Sequence, residues 1–329
     1  MENIRPSYPP DTAGSIMGPE FIAIPEGLNV SQALEKLRST RTSGKPTYVY
    51  VMDMEHHLKG VLFLRDLIFN PPDKALNDLL RQTLITVPAE MDQEEVARLF
   101  QKHHLMALPV VDKENRLLGT IVANDISQVI QEEGTEDILK VAGIGGGEES
   151  FKTPVGGSIK RRLPWLVLNI FLDCLAVSVI AYFEKTLQEV IALAVILPII
   201  SDMGGNVGIQ TVSLAVRELA IGTISFEDFG RIVSRELSVG FLNGLVLGVV
   251  LCVVGYIWKG NIVLGLVAGV ALWINTVVAS IVGAALPLLL RRSGQDPATG
   301  SGALLTTITD LSGFFLTLSL ATYLIHHLR

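Results

Sequence analysis

The chain has 329 residues, 49% of them hydrophobic and 18% charged, and its mean hydropathy of +0.44 is high enough to expect part of it in a bilayer. Charge divides it: residues 1–160 hold 23 Asp/Glu and 16 Lys/Arg, a net of −7, whereas residues 161–329 hold 10 of each. A soluble acidic half followed by a membrane half argues against nucleic acid and anionic-lipid binding, both of which want Lys/Arg clusters, and leaves cations as the natural partner.

The opening MENIRPSYPPDTAG lacks the basic flank and apolar core of a cleavable signal peptide, and residues 1–15 are read as an N-terminal tail. Residues 21–70 and 84–130 then repeat one pattern. FIAIPEGLNVSQALEKL aligns with LITVPAEMDQEEVARLF, Pro25 on Pro88. VMDMEHHLKGVLFLRDL aligns with VVDKENRLLGTIVANDI, which sets Asp53 on Asp112, Gly60 on Gly119 and Asp66 on Asp125. Each unit reads as a short strand ending at Pro, an amphipathic helix, a strand, a turn at Asp and Gly, another strand and a helix. Residues 16–130 resemble a tandem CBS domain, or Bateman module. The resemblance implies a nucleotide contact at Asp66 and Asp125, the last residues of GVLFLRD and GTIVAND. Phe63 and Val122 stand where such modules carry a phosphate-side hydroxyl, so a structural or Mg2+-sensing module is expected rather than an ATP site.

Residues 131–160 are expected to be an acidic connecting helix and linker. Asp125, Glu132, Glu133, Glu136 and Asp137 crowd one stretch just before the first apolar run. Charge runs are usually solvated faces, but like charges this close repel unless a cation sits among them. Divalent binding there would couple ion concentration to whatever follows.

Five apolar runs, about 163–183, 188–214, 237–257, 262–290 and 301–326, approach or exceed the roughly 20 residues a hydrocarbon core requires. The connections after the even-numbered runs, and the segment before the first, carry the Arg and Lys, which predicts an N-terminus inside the cell and a C-terminus outside. Cys174 and Cys252 lie within apolar runs and suggest neither a disulfide framework nor a metal cluster. Asn243 and Asn275 read as interhelical hydrogen-bonding residues, and the glycines around them as close-packing positions.

Asp310 is different, because a carboxylate at bilayer depth costs roughly 2.5–3.5 kcal/mol even on a lenient insertion scale. Its own run offers no Lys or Arg before Arg329. Thr306 and Thr307 lie at i−4 and i−3, one turn earlier, where the spacing predicts a polar wall of a water-filled pathway. The competing reading is a neutral acid bonded across a helix interface. Carboxylate, hydroxyl and carbonyl oxygens together suit hard cations, and Mg2+, Mn2+ and Ca2+ all remain open on chemistry alone.

The CBS pair, then EEGTEDILKVAG, KRRLPWL, LPIISDMGGNVGIQT, SRELSVGFLNG and LPLLLRRSGQDPATGSGALLTTITDLSGFF together resemble the MgtE family of magnesium channels, from SYPPDTAGSIM to the C-terminus. The fold implied is an α/β tandem CBS module followed by an all-α polytopic domain of five transmembrane helices, residues 161–329. The resemblance also implies a homodimer in the cell membrane with a pore on its two-fold axis. Asp310 would hold a hydrated Mg2+, shared with the Thr306 carbonyl and lined by Gly205 and Asn206. Cytosolic Mg2+ bound by Asp125, Glu133, Glu136 and Asp137 would lock the connecting helix and close the pore. Four departures stand out: fewer than twenty residues precede the CBS pair where the family usually has a helical domain, Gln128 and Gln131 replace common acids, Ile209 replaces a polar residue, and Asp202 adds an acid. A weaker or differently tuned Mg2+ block is therefore expected, with the choice of Mg2+ over Mn2+ or Co2+ left open. The alternative is a membrane-anchored CBS sensor of a nucleotide or ion that does not conduct. An enzyme is not expected, since the chain has no Walker A sequence, and its adjacent His pairs lack the i, i+4 spacing of a helical metal motif.

Overall fold

A computed structural model describes residues 8–39, 48–81, 84–147 and 149–328, and places them in two compact units, Met1–Glu133 and Gly134–Arg329. The first unit contains a short helix α1 (Ala13–Ile16) followed by two copies of one motif. The first copy is β1 (Ala23–Pro25), α2 (Val30–Ser39), β2 (Tyr48–Met52), β3 (Leu58–Phe63) and α3 (Leu64–Phe69). The second is β4 (Val87–Pro88), α4 (Gln93–His103), β5 (Ala107–Val111), β6 (Leu117–Val122) and α5 (Ala123–Val141). In each copy the first strand runs parallel to the second, which is antiparallel to the third. The first strands end at Pro25 and Pro88, residues that cannot donate to a ladder.

The aligned Asp and Gly pairs have matching structural reasons. Asp53 Oδ1 accepts from the backbone N–H of Glu55 and His57, and Asp112 Oδ1 accepts from those of Glu114 and Arg116. These Asx-type bonds close the two β-turns, with His56 and Asn115 in the left-handed region at φ 67° and 63°. Gly60 and Gly119 admit a neighbouring backbone: a Cβ would come within 2.7 Å of the Arg81 carbonyl oxygen and 2.8 Å of that of Gly18. Ile24, Val49, Leu62 and Leu67 fill one copy's core, and Val87, Leu108, Val110 and Ile121 the other's. A third cluster joins the copies through Tyr50, Leu58, Val61, Val111 and Leu117, and the Tyr50 and Thr120 hydroxyls hydrogen-bond within it at 3.0 Å.

The second unit begins on the last turns of α5, which stops at Gly143, φ 80°. Among the described residues, five helices long and apolar enough to cross a membrane follow. They are α6 (Val155–Tyr182), α8 (Leu193–Ala220), α9 (Phe229–Lys259), α10 (Ile262–Arg292) and α11 (Ser301–Tyr323), with short helices α7 (Glu184–Glu189) and α12 (Ile325–Leu328). Their ends differ from the apolar runs. α6, α8 and α9 continue into charged segments because a helix needs hydrogen bonds rather than hydrophobicity to propagate, whereas hydropathy marks only the lipid-immersed stretch. α8 starts later than the second run, at Leu193, because Glu184–Glu189 folds separately as α7, and α11 stops at Tyr323 before α12. Ala176 is the buried residue of α6, which leaves most of that helix at the periphery of this unit. α10 lies at the centre, with Asn275, Thr276 and Ala279 fully buried.

Candidate functional site

α8 and α11 approach closely where α8 carries glycine. A Cβ on Gly204 would lie 3.3 Å from the Thr309 Cβ, and one on Gly208 2.9 Å from the Leu305 Cγ. This proximity brings the Ser201 hydroxyl to Asp310, to whose Oδ1 it donates a short hydrogen bond. Asp310 itself is half-buried. Asp173 of α6 is near enough for its charge to act on Asp310. Gly205 faces the same corner, where a Cβ would sit 3.8 Å from the Thr306 Cγ2. On the adjoining exposed face of α8, Asn206 Nδ2 donates to Asp202 Oδ2 at 3.1 Å.

The hydroxyls of α11 divide by face. Thr306 is half-buried like Asp310, whereas Thr307 is 5% exposed and Thr309 fully buried. Thr307 is therefore turned into the helix bundle, away from the more open side expected for it. Its i−3 offset places it about 60° from Asp310 around the helix, enough to meet a packed neighbour. Thr306 and Thr307 both donate to the Ala303 carbonyl, at 3.0 and 2.8 Å, and Thr309 to that of Thr306 at 2.9 Å. A hydroxyl has one proton, so a hydroxyl bonded back to its own helix offers only lone pairs elsewhere. Ser201 spends its proton on Asp310 in the same way. The Asp310 corner thus presents acceptors.

Behind that corner Asn275 ties three helices: its Nδ2 donates to the Ile200 carbonyl at 3.2 Å, and its Oδ1 accepts from Ser312 at 2.6 Å. This is the interhelical role expected of it. Ser201, Asp173 and Ser312 were not among the expected site residues. The sequence signal for Ser201 was its place beside Asp202, and for Asp173 its acid inside an apolar run.

The expected sensor residues do not form a ready cluster. Among the described residues, no three His, Cys, Asp or Glu side chains converge as metal ligands. Asp125 is exposed and accepts weakly from its own Val122 N–H at 3.4 Å. Glu133 accepts from Gln93 Nε2 at 2.6 Å, and the same amide reaches Asp11 at 3.3 Å. Glu136 is paired with Lys140 at 2.5 Å, and Asp137 is half-buried. Lys140 also reaches Asp296 at 2.7 Å, in the loop before α11. Burial alone would lower the Lys140 pKa, but its bonds to Asp296 and Glu136 outweigh burial and hold it above the ordinary lysine value. Burial likewise opposes ionisation of Asp296, yet Lys140 and the Ala298 N–H hold its carboxyl below the usual range.

In the CBS pair, Asp66 lies half-buried beside Arg65, with Arg65 Nε 3.6 Å from its Oδ1. Phe63, at the position of the missing hydroxyl, has the Arg81 and Arg65 guanidinium carbons 4.3 and 4.9 Å from its ring centroid.

A family model described as a divalent cation transporter, MgtE, matches residues 197–320, and the CBS domain model matches residues 13–72 and 76–132. The magnesium transporter MgtE of Bacillus subtilis is 35% identical over 323 residues, covering 98% of this chain and 71% of its own length. That of Thermus thermophilus is 38% identical, covering 97% of this chain and 71% of its own. The crystal structure of the cytosolic domain of the Mg2+ channel MgtE in complex with ATP is 39% identical over 37% of this chain, at a TM-score of 0.34, and the match spans half of that solved chain. By its CBS pair, its five long apolar helices and 35–38% identity over nearly the whole chain, the chain belongs to the MgtE family of magnesium transporters.

Proposed function

We propose that the chain conducts Mg2+ through a channel-type pore formed by two copies, with Asp310 of each copy facing a hydrated ion on the two-fold axis. The observation that carries this reading is the polarity of the Asp310 corner. Beside the half-buried Asp310 carboxylate, the Ser201 and Thr306 hydroxyls give their protons to Asp310 and to the Ala303 carbonyl and leave lone pairs, and the waters of a hydrated cation are donors. Mg2+ releases its waters reluctantly and is held through one or two carboxylates, which matches one Asp310 from each of two copies. The Thr306 carbonyl, Gly205 and Asn206 would line the pathway, with Asp202 as an added acid at its exposed side. Mn2+ and Co2+ meet the same oxygen set and are candidate substrates as well.

Residues 16–130 would be the CBS module, 131–160 the connecting helix and linker, and 161–329 the pore domain. The N-terminus lies on the inner side of the cell membrane and the C-terminus outside, following the basic residues. Cytosolic Mg2+ at Asp125, Glu133, Glu136 and Asp137 closes the pore. Since these acids do not converge within one chain, ligation would draw α5 into a new position or recruit the second copy. Phe63 and Val122, standing where a phosphate-side hydroxyl is carried, disfavour an ATP contact at Asp66 and Asp125.

The test is Mg2+ flux into proteoliposomes. Asp310→Asn removes the charge and keeps the shape, and is expected to cut uptake by at least tenfold. Unchanged uptake would overturn the pore assignment and favour a non-conducting sensor.

A further inference from the structure

The bond between Glu136, Lys140 and Asp296 lies at the meeting point of the connecting helix and the helix that carries Asp310. Glu136 and Lys140 are one turn apart on α5, so their pairing is local. Asp296 belongs to the SGQDPATG loop, and its carboxylate organises that loop. Oδ1 accepts from the Ala298 N–H at 2.8 Å and Oδ2 from the Thr299 hydroxyl at 2.9 Å, two residues before the first helical residue of α11. The end of α5 presses on the same place. A Cβ on Gly302 would lie 2.5 Å from the Val141 carbonyl oxygen, and Val141 packs with Ile209, Ala298 and Leu305. Trp165 of α6 lies across the junction, within 3.3 Å of a Cβ on Gly300 and, through its indole nitrogen, of one on Gly145. A change in the hold on Lys140 is therefore a change at the cytosolic mouth of α11.

We propose that the Lys140 ammonium is a built-in competitor for the regulatory divalent cation: it neutralises Glu136 when no cation is bound, and Asp296 sets the strength of that competition by drawing the same ammonium away. This rests on the proposed gating role of Glu136. Both pairs are close and shielded, with the Lys140, Glu136 and Asp296 side chains 22%, 28% and 33% exposed. A cation that ligates Glu136 must displace one of the two carboxylate contacts of Lys140. It leaves the other intact, so the ammonium is never stranded. The arrangement lets Glu136 exchange a fixed monovalent partner for a diffusible divalent one while Lys140 stays anchored to the α11 loop.

The consequence is a pair of opposite effects that a structural role alone does not produce. Lys140→Met frees Glu136 and tightens Mg2+ binding, lowering the Mg2+ concentration that half-inhibits flux. Asp296→Asn leaves Lys140 wholly to Glu136 and raises that concentration, while the amide oxygen can still accept one of the loop's bonds. Each shift is expected to be about fivefold, the scale of a partly exposed ion pair. The double variant should behave like Lys140→Met, because Asp296 acts through Lys140.

The experiment titrates internal Mg2+ in proteoliposomes of full-length protein and follows two readouts: flux, and hydrogen-exchange protection of residues 134–147 as a direct measure of Mg2+ binding. Opposite shifts with Lys140→Met epistatic support the competition. Shifts in the same direction, no shift, or shifts that multiply in the double variant overturn it while leaving Mg2+ gating in place. Protection midpoints that shift as expected while flux ignores internal Mg2+ keep the competition and overturn the gate. If Mg2+ neither protects this segment nor inhibits flux in the unaltered protein, both fall.

Discussion

Asn275 and Gly313 make a packing pair whose energetics can be worked out in advance. A Cβ on Gly313 would lie 2.9 Å from Asn275 Nδ2 and 3.2 Å from the Ile200 Cγ2. The end of a side chain can often swing away from such a contact, but Asn275 is fully buried and bonded at both ends, to Ile200 and Ser312. Gly313→Ala should therefore cost about 1–3 kcal/mol as overpacking, reduced by up to about 1 kcal/mol of helix propensity. Asn275→Ala removes two interhelical hydrogen bonds, which in membrane proteins average about 0.6 kcal/mol each, and should cost about 1–2 kcal/mol. Together the changes should cost about 1 kcal/mol less than their sum, since the shortened side chain no longer meets the new methyl group. Reversible unfolding in mixed detergent and SDS micelles, followed by circular dichroism, measures all four corners of this cycle. Costs that add within about 0.5 kcal/mol would show that Asn275 is not what crowds Ala at 313, and would refute the tightly held position assigned to it.

Two further outcomes follow from the soluble unit and the connector. Gly119→Val should lower the melting temperature of the full-length protein measurably, because its Cβ would meet the Gly18 carbonyl oxygen at 2.8 Å, whereas Gly134→Ala, with nothing within 4 Å of its Cβ, should leave it unchanged or raise it. Equal effects would discount the close approach at Gly119. For pH, the depressed Asp296 contributes stability that is present above its unfolded value and lost as pH falls through its folded one. The elevated Lys140 contributes stability that is present below its unfolded value and lost only as pH rises through its higher folded one. Exchange protection around 138–146, corrected for intrinsic rates, should thus hold steady across neutral pH and fall only below about pH 4. A loss centred near pH 6 would point to a histidine instead.

Much of the fold was legible because its signals are periodic or paired. The Asp53–Asp112 and Gly60–Gly119 matches each mark a backbone requirement, a closed turn or a close approach, that few other residues meet. Membrane spans announce themselves by length, but their ends do not, since α9 keeps its helical hydrogen bonds through Gly230, Arg231 and Arg235, where hydropathy has already fallen. Lys140 and Asp296 lie far apart in sequence, and no local pattern couples a lysine at the end of one helix to an aspartate in a loop before another.

The Asp310 site shows most clearly where sequence reasoning stops. Residue types gave the chemistry of the site, since an acid with threonines one turn away supplies oxygen and no nitrogen. They left open whether the hydroxyl oxygens beside the acid would offer protons or lone pairs. Backbone geometry settles the donors: Thr306, Thr307 and Thr309 each turn a proton to a carbonyl one turn back, and Ser201 turns its own to Asp310. The rotation of α11 then divides these oxygens, Thr306 with Asp310 at the half-buried edge and Thr307 and Thr309 inside the bundle. An i−3 or i−4 spacing cannot make that division alone, because both offsets lie within about 60° of the acid and only a packed neighbour distinguishes them. On one side that neighbour is α8, brought close by Gly204 and Gly208, which packs on Thr309 and Leu305. The glycines that read as packing positions thus also bring Ser201 to Asp310 and enclose Thr309.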